Sequence, residues 1–234
     1  MEQQVRPYVM CHMLTSMDGK VTGDFINIIG RQDAFSRYLK LHSEYNINVF
    51  ALGRTTCQEG FCRGITPDLT AFSSTHVEKI DYVADKTATS FVIVYDRKGK
   101  LGWKSGKIET KFFPGFDGAH VIEVLTKEGV SESYLAYLQD KGVSYIFAEN
   151  ICESLTKVKQ LFGIEKVLLE GGSEINGAFA LEGLVDEISL LQSPVLAGKD
   201  SKCVFFDSKN EAFKLKSVKQ EDNYLIVKYV KDTK

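Results

Sequence analysis

The feature that most constrains this chain is a rhythm. Between Phe91 and Leu181 it alternates short apolar runs with segments of helical period. FVIVY, HVIEVL, SYIFA and KVLLE are five or six residues long and rich in β-branched and aromatic side chains. Runs of that length and composition suit strands. Between them, Ser131 can cap a helix carrying Leu135 and Leu138 that stops at Gly142, and Leu155, Val158, Leu161 and Phe162 mark another that stops at Gly163. Strands separated by helices predict a parallel sheet.

The flanks extend the pattern. Tyr8 to Leu14 reads as a strand, followed by the polar loop TSMDGKVTGD. A helix is expected from Gln32 to Glu44, because Phe35, Tyr38, Leu39 and His42 share one face. NVFALG then reads as a buried strand ending at Gly53, and KVLLE runs through GGSEINGAFALEG as a glycine turn entering a helix. Residues 55–90 hold a loop around Thr66-Pro67-Asp68 and an expected helix near Ser74 to Val83. Residues 97–118 carry five glycines and read as a long loop or hairpin. At the end, Glu187 to Leu196, Phe213 to Val218 and Tyr224 to Val230 read as strands with no helix between them. They predict an antiparallel hairpin on the edge of a mostly parallel sheet. The expectation is α/β: one mixed sheet flanked by helices, in a single domain over residues 1–234.

Composition narrows the function classes. A chain of 234 residues with 44% hydrophobic content can bury about 70% of its unfolded surface, so it needs no metal or disulfide to fold. A formal charge of −2 argues against a nucleic-acid surface. The lysines are scattered except for a loose cluster from Lys98 to Lys111, which reads as a solvated loop or as a contact for an anionic ligand. Cys11, Cys57, Cys62, Cys152 and Cys203 are odd in number and form no C-x-x-C pair, a pattern of reduced cytoplasmic thiols. No apolar run approaches the ~20 residues of a membrane helix, and the N-terminus lacks a signal-peptide core. His12, His42, His76 and His120 never fall at metal spacing, so no metal is expected. His12 and His120 read as satisfied core histidines. Trp103 and Phe112–Phe113 read either as a flap over a ligand or as structural or dimer contacts.

Three polar motifs follow expected strands. In Leu168-Leu169-Glu170-Gly171-Gly172-Ser173 a buried strand ends in a carboxylate, and two glycines lead into a helix. Backbone N–H groups at a helix N-terminus bind phosphate, and ligands of open α/β sheets sit beyond the carboxyl ends of the strands. The same pattern also suits a plain strand-to-helix turn. In Gly53-Arg54-Thr55-Thr56, an arginine and two hydroxyls can hold a ribose 2′-phosphate, or the arginine can simply lie on the surface. In Thr15-Ser16-Met17-Asp18-Gly19-Lys20, Asp18 and Lys20 face the same side of an extended loop. There they can hold a polar heterocycle, or form a solvent-facing Asp-Gly turn.

Taken together, these motifs resemble the reductase domain of the riboflavin-biosynthesis deaminase/reductase family. TSMDGK looks like its S-x-D-G-K loop and ALGRTT its strand–glycine–nucleotide loop. PDLT is similar to its P-x-L-T segment, and LLEGGSEINGAFALEGLVDEISLLQSPVLAG to its E-G-G…N-G…L-V-D-E…P-V-L-x-G block. The resemblance implies a dihydrofolate-reductase-like fold, NADPH as hydride donor, a pyrimidine- or pteridine-like substrate and a homodimer. It places Gly53, Arg54, Thr55 and Thr56 on the nucleotide, with Gly171, Gly172 and Ser173 at its pyrophosphate. Asp18, Lys20 and Glu170 line the reacting end, and Thr15, Ser16, Asp68 and Thr70 touch substrate. A proton donor is expected in Asp18 or Glu170, held near neutral by burial, or in water.

The chain departs from that pattern at named positions. It has no zinc-deaminase signature H-x-E…P-C-x-x-C. Ala71 and Phe72 follow PDLT, and Lys40 and His42 stand on the expected helix from Gln32, where the resemblance implies arginines for a substrate phosphate. The expected activity is therefore reduction of a small heterocycle by NADPH. The 5-amino-6-(5-phosphoribosylamino)uracil reductase step and a non-catalytic NADPH-binding protein stand as its alternatives.

Overall fold

The structure, a computed structural model, describes residues 5–232. In chain order it begins with β1 (Tyr8–Thr15), α1 (Phe25–Ile28), α2 (Arg31–Glu44), β2 (Val49–Gly53) and α3 (Arg54–Gly60). Next come β3 (Phe91–Tyr95), β4 (His120–Leu125), α4 (Glu132–Asp140), β5 (Ser144–Phe147) and α5 (Ile151–Phe162). The chain closes with β6 (Lys166–Leu169), α6 (Ser173–Leu181), β7 (Glu187–Gln192), β8 (Phe213–Glu221) and β9 (Tyr224–Lys231). It divides into two compact units. One comprises Asn48–Glu165 with the residues through Pro7, and the other Tyr8–Ile47 with Lys166–Lys234.

The first unit is built on four parallel strands in the order β5-β4-β3-β2. All six residues of β4 and the first four of β3 are buried, which is why these strands read as unbroken apolar runs. Ser131 and Gly163 make the helix ends expected of them, and Asn150 adds a cap of the same kind. The Ser131 side chain accepts from Tyr134 N at the start of α4, Asn150 accepts from Glu153 N at the start of α5, and Gly163 ends α5 at φ +68°.

Two expectations fail in this unit. No helix forms near Ser74 to Val83. That segment is irregular, and Tyr82 pairs antiparallel with Tyr145 of β5, each N–H donating to the other's carbonyl at 2.9–3.0 Å. Exposed backbone on an outer strand is a strong partner for a passing segment, and here it outweighs the local helical period. Conversely, Arg54–Gly60 is a helix that the pattern does not announce, because Cys57 is its one buried residue.

The second unit has five strands in the order β6-β1-β7-β9-β8. β6, β1 and β7 run parallel, while β7/β9 and β9/β8 are antiparallel. The helix-free C-terminal strands thus add the expected antiparallel edge. α2 packs on this sheet through Ala34 and Leu41, which share a buried cluster with Leu14 and Leu191, and Tyr38 and the C-cap Tyr45 pack against that cluster. α6 lies so close to the loop between β7 and β8 that a Cβ on Gly177 would sit 1.7 Å from the Phe206 carbonyl oxygen.

Candidate active site

In the second unit, Glu170 follows the last residue of β6 and is buried. The register pairs Leu169 with Cys11, so Glu170 emerges beside His12 of β1. His42 of α2 meets it, with Nδ1 3.0 Å from Glu170 Oε1 and both side chains at most 5% exposed. The second oxygen, Oε2, is buried and has no hydrogen-bond partner. Around this pair the groups are neutral. The His12 ring stacks on Tyr38 at 4.4 Å with 6° between planes. Its pKa is lowered by burial, against a smaller opposing pull from Glu170. Burial first, then the charge of Glu170, pushes the Tyr38 phenol and the Cys11 thiol well up. His12 is the buried core histidine its strand position suggests.

The Thr15-to-Lys20 segment closes on itself beyond β1. Ser16 Oγ donates to Asp18 Oδ1 at 2.7 Å and accepts from Lys20 N at 2.9 Å. Asp18 Oδ1 also accepts from Ala197 N at 2.9 Å. The Ala197 N–H and the Ser16 hydroxyl, in that order, hold the exposed Asp18 below the usual carboxylate range. Asp18 is therefore an ionised brace, which corrects the expectation that burial keeps it near neutral as a proton donor. The Ser16 hydroxyl is engaged within the loop, whereas the buried hydroxyls of Thr15 and Ser193 have no partner. The two residues are joined by the Ser193 N–H donating to the Thr15 carbonyl at 2.8 Å.

Gly171 and Gly172 lead from β6 into α6, with Gly172 at the N-cap. Ser173 is buried and its hydroxyl donates to the Cys203 carbonyl, so its backbone is what it offers a ligand. One turn on, both amide atoms of the buried Asn176 lack partners. Unpaired buried polar atoms cost about 1–3 kcal/mol each, and here Thr15, Ser193, Glu170 and Asn176 all belong to one unit. Thr15, Glu170 and Asn176 come from segments at or just beyond the carboxyl ends of β1 and β6. Such a set suits a polar ligand with both donors and acceptors.

In the first unit, Gly53 ends β2, and Arg54, Thr55 and Thr56 form the exposed first turn of α3. Arg54 lies within electrostatic reach of Asp96, which follows β3. Asp96 is buried, accepts from the N–H groups of Lys100 and Leu101 at 2.5 and 2.9 Å, and leaves Oδ1 unpartnered. Burial raises its pKa against those bonds and Arg54. Asp68 is exposed and accepts from Thr70 N at 3.0 Å, opening the short 3₁₀ turn Thr70–Phe72. Thr15, Ser16, Asp18, Lys20 and Glu170 to Ser173 thus share one unit, and Gly53 to Thr56, Asp68 and Thr70 share the other. Sequence reasoning passed over His42 as Glu170's partner, Asn176 and Asp96. Asp96 carried a signal, a carboxylate directly after an apolar run.

Residues 91–227 match the family model of the RibD C-terminal domain. The chain belongs to this family. No curated protein matches it in sequence. Solved structures that share the fold include RibD of Acinetobacter baumannii, with TM-score 0.65 and 20% identity over 98% of this chain. The riboflavin biosynthesis reductase Rib7 of Saccharomyces cerevisiae has TM-score 0.62 and 16% identity over 99% of this chain and 93% of its own. A pyrimidine reductase-like protein of Corynebacterium diphtheriae has TM-score 0.65 and 17% identity over 97% and 93%. The chain spans 59% of the length of the Acinetobacter protein. The fold is the expected dihydrofolate-reductase-like one, a mostly parallel mixed sheet with C-terminal antiparallel strands and flanking helices. Among the described residues, no helix is long and apolar enough to cross a membrane, and no group of three His, Cys, Asp or Glu is placed to hold a metal ion.

Proposed function

We propose that this RibD-type domain is an NADPH-dependent reductase of a flat pyrimidine- or pteridine-like heterocycle. The observation that carries the reading is Glu170: a buried carboxylate at a strand end, with one oxygen held by His42 and the other unpartnered. That second oxygen would accept N–H groups of a heterocycle, and the Thr15 hydroxyl would add a donor or acceptor beside β1. Gly171, Gly172 and the first N–H groups of α6 would hold a pyrophosphate, and Arg54 a ribose 2′-phosphate. When bound, the nicotinamide supplies the hydride, and the chain supplies position and electrostatics. Lys20 would bring positive charge to the substrate. Asp18, tied to the Ala197 N–H and held below the usual carboxylate range, would brace this loop rather than donate a proton.

A second reading, the reduction of 5-amino-6-(5-phosphoribosylamino)uracil, is favoured by family membership. His42 is engaged with Glu170, and Ala71 and Phe72 carry no charge, so the arginines suited to a ribose phosphate are missing. We therefore rank it second. In this reading the chain acts in the cytoplasm as one domain and as a homodimer. The exposed Leu215 and Val218 of β8 are the place to look for the contact.

Calorimetric titration with NADPH and NADH, followed by absorbance at 340 nm with a panel of pterins and pyrimidines, tests the reading. Micromolar NADPH binding, much weaker NADH binding and oxidation with one heterocycle class support it. Tight binding without turnover on any substrate would leave a nucleotide-binding protein, and no binding to either cofactor would end the reductase reading. Riboflavin-independent growth of a reductase-deficient strain carrying the gene would move the second reading to first.

A further inference from the structure

We propose that the Asn48–Glu165 unit carries a second ligand site, separate from the one above, for a phosphorylated planar molecule of the nucleotide class. It is a cavity of about 390 Å³, within the range of small-molecule sites. Its wall is the Gly102–Asp117 loop, and Phe61 and Arg63 from the turn after α3 complete it.

The loop is anchored from behind. Trp103 Nε1 donates to the buried Glu123, and Tyr137 OH donates to the Trp103 carbonyl at 2.6 Å. Gly106 packs so tightly that a Cβ would lie 1.9 Å from the Gly142 carbonyl oxygen. The Trp103 indole and this glycine are thus structural, and they fix a frame around which the charged residues stand.

Arg63, Lys104, Lys107 and Lys111 line the cavity against two carboxylates, Glu109 and Asp117. Lys107 has a loose partner in Asp85 at 3.8 Å. Among the described residues, Arg63, Lys104 and Lys111 have no ion-pair partner. Four cations against two carboxylates leave a positive excess around one concavity, and in a chain of net charge −2 that excess focuses positive potential there. Lysine and arginine together suit phosphate oxygens. The cavity also contains Phe112, 76% exposed, a free ring face on which a base can stack.

Within this unit, position separates the cavity from Arg54 and Asp96. Ile108 N donates to the Ala119 carbonyl and Lys107 pairs with His120, so the loop runs beside the start of β4. Arg54 and Asp96 stand at the other, carboxyl ends of β2 and β3, where ligands of parallel sheets ordinarily bind.

Trp103 is the single tryptophan of the chain and lines the cavity, so its emission reports occupancy. The experiment titrates the intact protein with ADP, inorganic pyrophosphate and adenosine, following tryptophan emission and heat. ADP should bind and weaken at least tenfold in the exposed-residue variant Lys104→Ala/Lys111→Ala, and bind equally well in Gly171→Val, which fills the proposed pyrophosphate approach of the first site. Phe112→Ala should weaken ADP and leave pyrophosphate unchanged. Circular dichroism and melting of each variant keep loss of binding distinct from loss of fold. The proposal is overturned by absent binding at millimolar ADP, by unchanged affinity in the double lysine variant, or by loss of ADP binding in Gly171→Val. Adenosine binding as well as ADP would remove the anion, and pyrophosphate binding as well as ADP would remove the planar group.

Discussion

His42 Nδ1 lies 3.0 Å from Glu170 Oε1, with both side chains buried and the two residues 128 positions apart in the chain. Removing one member of such a pair strands the other in a poor solvent, typically at about 3–5 kcal/mol. Replacing both with apolar side chains of similar volume strands neither. We expect His42→Leu and Glu170→Met each to lower the unfolding free energy by about 3 kcal/mol, and the double variant to lose less than either alone. Urea melts of the four proteins measure this, and additive losses would show that the two side chains do not interact energetically.

Stability should depend on pH in two opposite directions. Burial favours the neutral His12 ring, so the unfolded chain binds that proton more tightly. Its contribution is complete above the unfolded value near 6.5 and falls as pH drops toward the lowered folded value. Burial, followed by the charge of Asp96, raises the pKa of Glu123 well above normal, outweighing its bonds from Trp103 and Tyr134. Its contribution is complete at acid pH and declines as pH rises through the folded value. Relative to wild type, His12→Asn should lose less stability between pH 7 and 5. Glu123→Gln should gain in melting temperature from pH 5 to 8. A parallel pair of pH profiles for wild type and either variant would rule out that group as the source.

The parallel core was legible because buried strands leave continuous apolar runs such as FVIVY and HVIEVL. α3 was not, since RTTCQEG buries only Cys57 and shows no apolar stripe. The expected helix near Ser74 to Val83 failed for a tertiary reason, the pairing of Tyr82 with Tyr145. The site followed the same division. Glu170 announces itself as a carboxylate closing an apolar run, whereas nothing local to His42 reveals its partner. Asp18-Gly19 takes the solvent-facing turn that was one of its two readings, whereas the bond that sets its electrostatics comes from Ala197, which is remote in sequence.

Two glycine replacements should act in opposite directions. Gly177 lies inside α6, where alanine is intrinsically better by about 1 kcal/mol. A Cβ there would nevertheless meet the backbone oxygen of Phe206 at 1.7 Å, and backbone cannot rotate away. Gly177→Ala should cost about 1–3 kcal/mol net. Gly60, the last residue of α3, has nothing within 4 Å of its Cβ position, so Gly60→Ala should stabilise by about 0.4–1 kcal/mol. Thermal melts decide both; a stable Gly177→Ala would mean the loop around Phe206 yields easily.

Arg54 tests the cofactor assignment most directly. It is exposed in the first turn of α3 and lies within electrostatic reach of Asp96. A charged contact to a 2′-phosphate contributes about 1.5–3 kcal/mol, roughly a 10- to 150-fold change in Kd. Arg54→Ala should therefore weaken NADPH by that factor and leave NADH within about twofold, since NADH lacks the phosphate. If Arg54 served Asp96 instead, the variant would leave that buried carboxylate without its cation. Both cofactors would then weaken together, along with the melting temperature. Calorimetric titration of both cofactors, read beside a melt, separates the two roles. Equal losses would take the 2′-phosphate away from Arg54 and with it the preference for NADPH.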